Sequence, residues 1–150
     1  MILSNDHNFW MDYAIKEARL AFEEDEIPIG AIVVCGGELI SKGRNQVERL
    51  NDPTAHAEML SISSACNSLQ SKFLKECSLY VTLEPCPMCA GALKWVQIGE
   101  IIISSSALKT GFTQFHPNLL HPKTKLSWGV QHLVTEELLI SFFQKKRKLN

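Results

Sequence analysis

The sequence lacks any hydrophobic run of about 18 to 20 residues, the length that an α-helix needs to cross a bilayer. Its first ten residues include Asp6 and His7 and show no basic region followed by an apolar one, so they do not resemble a secretion signal. We therefore expect a cytoplasmic protein without a membrane segment.

The chain also lacks an excess of charge of either sign, since its formal net charge is −1. Nothing global marks the chain as a nucleic-acid binder, so such a role must rest on a local basic patch. Residues 145–148, Lys-Lys-Arg-Lys, form one patch, and Lys109, Lys123 and Lys125 are further candidates. The alternative is that the terminal lysines only match the dipole of a helix end and are solvated.

Cysteine is scarce and odd in number: the five are Cys35, Cys66, Cys77, Cys86 and Cys89. An odd count without a secretion signal argues against a disulfide framework and for free thiols. Cys86 and Cys89 form a Cys-x-x-Cys pair. Taken alone, this pair is compatible with a metal site, a redox pair or two core cysteines at helical spacing.

Segments with the hydrophobic spacing of a helix alternate along the chain with segments typical of a strand, and this order predicts an α/β protein. Helices are predicted over 8–22, 55–69, 87–97 and 135–148, the first capped by Asp6 and the last by Thr135. Strands are predicted over 27–35, 38–44, 78–82 and 100–104, with Gly36-Gly37 turning the first hairpin and a loose stretch over 105–129. The hairpin is antiparallel and the strands separated by helices are parallel, so we expect one mixed sheet with helices on both faces. The length of 150 residues fits one domain, 1–150.

Two segments carry the chemistry: His56-Ala57-Glu58 and Pro85-Cys86-Pro87-Met88-Cys89. Each lies at a predicted helix start, where the helix dipole favours thiolates. One imidazole and two thiolates suit zinc, and a zinc ion with three protein ligands keeps a position open for water. Glu58 is then the group that takes a proton from the activated water and passes it to the substrate. The pattern predicts hydrolytic deamination of a nucleobase with one zinc per chain.

Beyond this signature, the chain resembles the bacterial tRNA-specific adenosine deaminases. The resemblance covers nearly the whole chain and is clearest over residues 26–31, 51–58 and 79–92. It implies a three-layer α/β/α cytidine-deaminase-like fold and conversion of adenosine to inosine at the wobble position of tRNA. It also implies a homodimer in which the partner subunit borders each active site. Residues 91–96 are candidates for that interface, or equally for the chain's own core.

The resemblance also assigns site residues. It implies that His56, Cys86 and Cys89 bind zinc and that Glu58 moves protons. It further implies that Asn45 faces the substrate, that Ile27 and Pro28 line the base pocket, and that the anticodon loop of tRNA is the partner.

The chain departs from the family pattern at one position. The family usually carries Asp-x-Lys-x-Gly where this chain reads Ala107-Leu108-Lys109-Thr110-Gly111. The family's aspartate accepts a hydrogen bond from a ribose 2′-hydroxyl, the group that distinguishes RNA from DNA. Alanine has no such acceptor, so we hypothesise weaker 2′-hydroxyl recognition here, or a shifted substrate.

Two alternatives stay open on the sequence. A deaminase of free guanine, cytosine or a nucleoside would use the same zinc chemistry. A non-catalytic zinc module that only binds nucleic acid is the second, but Glu58 has no purpose in such a module.

Overall fold

The computed structural model describes residues 6–149 and forms three layers, with one sheet between helices. The helices are α1 (His7–Glu23), α2 (Val47–Leu50), α3 (Ala57–Leu69), α4 (Pro87–Trp95) and α5 (His132–Leu149). The strands are β1 (Gly30–Cys35), β2 (Glu38–Arg44), β3 (Cys77–Leu83), β4 (Glu100–Ser105) and β5 (Lys125–Trp128). Among the described residues, none of the helices combines the length and the apolar character that crossing a bilayer requires.

The sheet is mixed, as predicted, with strand order β2-β1-β3-β4-β5. β1 is antiparallel to both of its neighbours, whereas β3, β4 and β5 run parallel. Leu83 and Ser105 pair at the ends of β3 and β4. The segments that follow these two strands therefore leave the sheet at the same edge, and that edge carries the candidate site.

Alternating side chains of β1, β3 and β4 serve the two faces of the sheet. Val33, Val81 and Ile103 belong to a core shared with α3 and α4. Ile32 and Ile102 belong to the opposite core, which contains side chains of α1 and contacts α5. The period of two that marks a strand thus produces the three-layer α/β/α arrangement, and this part of the prediction is confirmed.

Two glycines allow helices to approach the sheet closely. A Cβ atom on Gly30 would collide with the backbone of α1 at Ala14 and Ala18. On Gly43 it would lie 2.5 Å from the Ala57 carbonyl oxygen of α3. Glycine is required at both places because no side chain fits between strand and helix.

Several element boundaries differ from the predictions. β1 begins at Gly30 rather than at residue 27, because the Ile29 N–H donates to the Ile27 carbonyl at 2.8 Å and closes a tight turn around Pro28. α4 ends at Trp95, since Gln97 has a φ of 55°.

At the C-terminus, α5 begins at His132. Thr135 therefore lies inside the helix rather than capping it, and its hydroxyl bonds to Ser104 and Ser105 of β4. The short β5 and α2 were not predicted.

Candidate metal centre and active site

The three predicted metal ligands come together at the starts of α3 and α4. His56 is the N-cap residue of α3 and Cys86 is the N-cap residue of α4, both with extended backbone. Pro87 occupies the first turn of α4, where its missing N–H costs nothing, and Cys89 follows on the same face. The ligand atoms of His56, Cys86 and Cys89 all lie within 4.8 Å of one another.

The distances fit a tetrahedral zinc ion. The His56 Nδ1 atom lies 3.7 Å from Cys86 Sγ and 3.5 Å from Cys89 Sγ. Zinc bonds of about 2.3 Å to sulfur and about 2.1 Å to nitrogen, at tetrahedral angles, place such a pair about 3.6 Å apart. Both nitrogen–sulfur distances therefore already match those of a tetrahedral zinc site.

The thiols are prepared for metal binding. The pKa of Cys86 is lowered to about 5, mainly by a hydrogen bond from the Cys89 thiol and, against the opposing effect of burial, by the N–H groups of Cys89 and Met88 and the His56 ring. The pKa of Cys89 is raised by the same hydrogen bond between the two sulfur atoms and by burial. One thiolate is thus available at neutral pH, and a cation at this point would draw off the second proton.

Glu58 lies in the first turn of α3 and only 4% of it is exposed. The pKa of this carboxyl is raised to about 7, mainly by burial and also by the negative charge of Cys86, against the opposing effects of the hydrogen bonds it accepts and of His56. A carboxyl group with such a pKa both accepts and releases a proton near neutral pH, which is the property of a general acid and base.

A cleft of about 840 Å³ reaches His56 from the surface. Its walls include Ile27, Ile29, Asn45 and Pro53. The side chain of Asn45 is buried, and its Oδ1 atom has no hydrogen-bond partner among residues 6–149. A buried acceptor without a partner is costly, so this atom is available to a donor of a bound molecule. Pro28 is buried and is not among the residues that line the cleft, where Ile29 contributes instead.

A family model described as the cytidine and deoxycytidylate deaminase zinc-binding region matches residues 4–105. The chain belongs to this deaminase family. A tRNA-specific adenosine deaminase of Aquifex aeolicus is 46% identical over 143 residues, covering 93% of this chain and 95% of that protein. The match confirms the resemblance drawn from the sequence motifs.

Solved structures of deaminases agree with this assignment. The structure of a tRNA:A34 deaminase has a TM-score of 0.80 and 37% identity, covering 86% of this chain and 97% of that one. A guanine deaminase of Bacillus subtilis has a TM-score of 0.64 and 37% identity, covering 67% of this chain and 65% of that one.

Further residues of the deaminase site could not be predicted from the sequence. The carboxylate of Glu26, which is buried, accepts the backbone N–H groups of Glu48 and Arg49 at 3.1 and 2.8 Å. These bonds join the 26–29 segment to α2, and both line the cleft. The partners are backbone atoms 22 and 23 residues away, so no side-chain pattern marks them.

The end of α5 forms another part of the cleft wall, through Phe142, Phe143 and Lys146. The Lys146 Nζ atom lies 2.6 Å from Asp25 Oδ2 and joins the helix to the turn after α1. Lys146 was predicted as a member of a basic patch, but nothing in the sequence indicates that its partner is Asp25.

Proposed function

We propose that this protein is a hydrolytic deaminase that converts adenosine to inosine at the wobble position of a tRNA anticodon. The observation that carries the proposal is the convergence of His56, Cys86 and Cys89 beside the buried carboxyl of Glu58, with His56 lining a cleft. The substrate follows from the relatives, which match over almost their full length and are named as tRNA-specific adenosine deaminases.

In this proposal His56, Cys86 and Cys89 hold one zinc ion. When bound, zinc supplies the Lewis acidity that makes water nucleophilic at neutral pH. Glu58 takes the proton of the attacking water, delivers it to the purine ring and then assists departure of the exocyclic amine as ammonia. The overall balance is adenosine plus water to inosine plus ammonia.

Binding of the base is assigned to the cleft wall. Ile27, which is partly exposed, offers an apolar surface, and Asn45 offers its unpaired Oδ1 as an acceptor. Because Pro28 is buried, we propose that it supports the cleft wall without contacting the base.

The proposed tRNA contact has support in the charge near the cleft. Lys146 lines the cleft, and Lys145, Arg147 and Lys148 on the same helix end are exposed. Phosphate groups on both sides of an anticodon base would meet these cations.

We propose a homodimer that uses the outer face of α4. Met88, Gly91 and Trp95 lie on this face at helical spacing, and Trp95 is 81% exposed. A Cβ atom on Gly91 would have no neighbour within 4 Å. An exposed tryptophan on a smooth helix face is typical of protein interfaces.

Light scattering tests the dimer. We expect the wild type to be dimeric and Trp95→Glu to be monomeric. Leu133→Glu, on α5 at a position that is 71% exposed, is the matched control and leaves the dimer intact. A monomeric wild type, or equal behaviour of the two variants, would contradict the proposal.

We further infer that residues 1–150 work as one domain in the cytoplasm. Both hydrophobic cores are built on the same sheet, which supports a single unit. All five cysteines are free thiols, and thiolate ligands persist where the surroundings are reducing.

A deaminase of a free nucleobase is the second candidate, favoured by the likeness to the Bacillus subtilis guanine deaminase. A substrate panel separates the two: an anticodon hairpin with adenosine, its DNA copy, free adenine, guanine and cytosine, and their nucleosides. We expect conversion of the hairpin. Conversion of a free base with no conversion of the hairpin would replace the proposal by the second candidate.

The variant Glu58→Gln tests whether the protein is an enzyme or only binds nucleic acid. We expect this variant to keep its zinc and its melting temperature and to lose turnover by about 10²-fold or more, the range for loss of a general acid or base. Unchanged turnover would show that Glu58 is not the proton carrier.

A further inference from the structure

Another buried carboxylate, that of Glu84, lies between the metal-ligand turn and the 106–113 loop that follows β4. Glu84 comes directly after β3, two residues before Cys86, and only 4% of it is exposed. No lysine, arginine or histidine of the described chain forms an ion pair with it. Its charge must therefore be compensated by hydrogen-bond donors.

Those donors all belong to the 106–113 loop. Glu84 Oε1 accepts the Ala107 backbone N–H at 3.1 Å. Oε2 accepts the Thr113 backbone N–H at 3.0 Å and the Thr113 hydroxyl at 2.6 Å. Both ends of the loop are thus fixed by one side chain.

The loop closes tightly around this carboxylate. The Gly111 N–H donates to the Ala107 carbonyl at 2.9 Å, and the Phe112 N–H donates to the Pro85 carbonyl at 2.9 Å. A Cβ atom on Gly111 would collide with the carboxylate of Glu84. A side chain at position 111 would therefore have to displace the carboxylate of Glu84 from its donors in the loop.

The tip of the loop points away from the protein. Leu108 is 79% exposed, and Lys109 and Thr110 are exposed beside it. The loop leaves the sheet at the same edge as the turn that carries Cys86. An apolar residue and a cation are thus exposed on the edge of the sheet that also carries the Cys86 turn.

We propose that Glu84 is a positioning residue that holds the 106–113 loop in a fixed shape, so that residues 108–110 contact the RNA around the reacting base. The inference rests on the proposed function for the identity of the ligand. Glu84 makes no contact with the reacting atoms, so its loss weakens substrate binding rather than the chemical step. A preformed loop avoids the ordering cost of binding.

Glu84→Gln tests the proposal, because an amide offers only one acceptor oxygen and leaves one set of loop donors unpaired. We expect the zinc content to be unchanged. Protection from hydrogen exchange falls by about tenfold or more at the Ala107 amide or at the Thr113 amide, whichever faces the new NH₂ group, and KM for the hairpin rises by a similar factor, as for loss of a hydrogen bond to a charged group. We expect kcat to stay within about twofold, since the groups at the metal centre are untouched.

Thr113→Val is the milder variant, because it removes one of the three donors and keeps the carboxylate. Thr124→Val is its matched control: the Thr124 hydroxyl donates to the Ile98 carbonyl at 2.7 Å, on the opposite edge of the sheet. We expect Thr113→Val to raise KM and Thr124→Val to leave it unchanged. If Glu84→Gln does not fold, this pair decides the question.

Three results would overturn the proposal: unchanged amide protection in Glu84→Gln, reduced protection with unchanged KM, or a fall in kcat together with loss of zinc. Failure of the proposed function is a separate outcome. It appears as a wild type that does not convert the hairpin, whereas the exchange measurement reports on the loop whatever the substrate is.

Discussion

Gly43→Ala should move the histidine ligand of the metal centre away from the two cysteine ligands. Gly43 lies in β2 beneath α3, and a methyl group there would lie 2.5 Å from the Ala57 carbonyl oxygen and 2.9 Å from the Ser61 nitrogen. Both are backbone atoms, so the helix itself must move. Because His56 and Glu58 stand at the start of α3 while Cys86 and Cys89 belong to α4, that movement separates the imidazole from the thiolates.

The magnitude follows from two contributions. Overpacking of this kind costs about 1 to 3 kcal/mol. The Ser41 hydroxyl donates to the Ser61 carbonyl at 2.7 Å in the same buried region, and loss of such a hydrogen bond adds about 1 kcal/mol. We expect a total of about 2 to 4 kcal/mol, or about 4 to 16 °C in the melting temperature of a chain of this size.

The control is Gly30→Ala, which produces a comparable collision with α1 on the opposite face of the sheet. α1 carries none of the metal ligands. Both variants should therefore melt earlier, but only Gly43→Ala should lose zinc on dialysis against a weak chelator and lose turnover per folded molecule. Equal zinc retention in the two variants, or an unchanged melting temperature in Gly43→Ala, would refute the reasoning.

Three further outcomes are expected. Glu26→Gln leaves one of the two α2 amides unpaired and should raise KM for the hairpin by about tenfold at constant zinc content; an unchanged KM would show that the cleft wall does not need this link. Ala107→Asp should increase the rate on the RNA hairpin relative to its DNA copy, measured side by side, and an unchanged ratio would refute the idea that alanine weakens 2′-hydroxyl recognition. Replacing the three exposed cations at 145, 147 and 148 by glutamine should reduce the salt dependence of hairpin binding, with the slope of log K against log salt falling by about 2, or about 0.7 for each phosphate that is no longer neutralised; an unchanged slope would place the RNA elsewhere.

The sequence predicted the layers and the metal cluster because both rest on short-range patterns. Alternating apolar residues in β1, β3 and β4 select two buried faces, and a helix start brings Cys86 and Cys89 to one side. The cluster also needed one long-range inference, that His56 meets these thiols. The topology supports this, because α3 and α4 pack on the same face of the sheet.

Elements without a local pattern were missed. β5 has four residues and is mostly exposed, and it exists as a strand because it pairs with β4. α2 is a single turn with no buried residue, held from outside by Glu26. In both cases the stabilising partner is remote in sequence, so neither composition nor period marks the segment.

The roles of Glu26 and Glu84 could not be predicted from the sequence, whereas those of the metal ligands could. A ligand set is visible in the sequence because zinc requires particular side chains at fixed spacing, while a carboxylate that accepts backbone N–H groups does not restrict the identity of its partners. The starts of α3 and α4 also lack the usual side-chain cap. Asp6 caps α1 through hydrogen bonds of 3.0 and 3.2 Å, but the N-cap residues His56 and Cys86 make no side-chain capping bond, since their side chains turn toward each other and Cys89 instead. Side chains that are free of the cluster hold the neighbouring segments instead: Glu26 accepts N–H groups of α2, and Glu84 accepts N–H groups at both ends of the 106–113 loop.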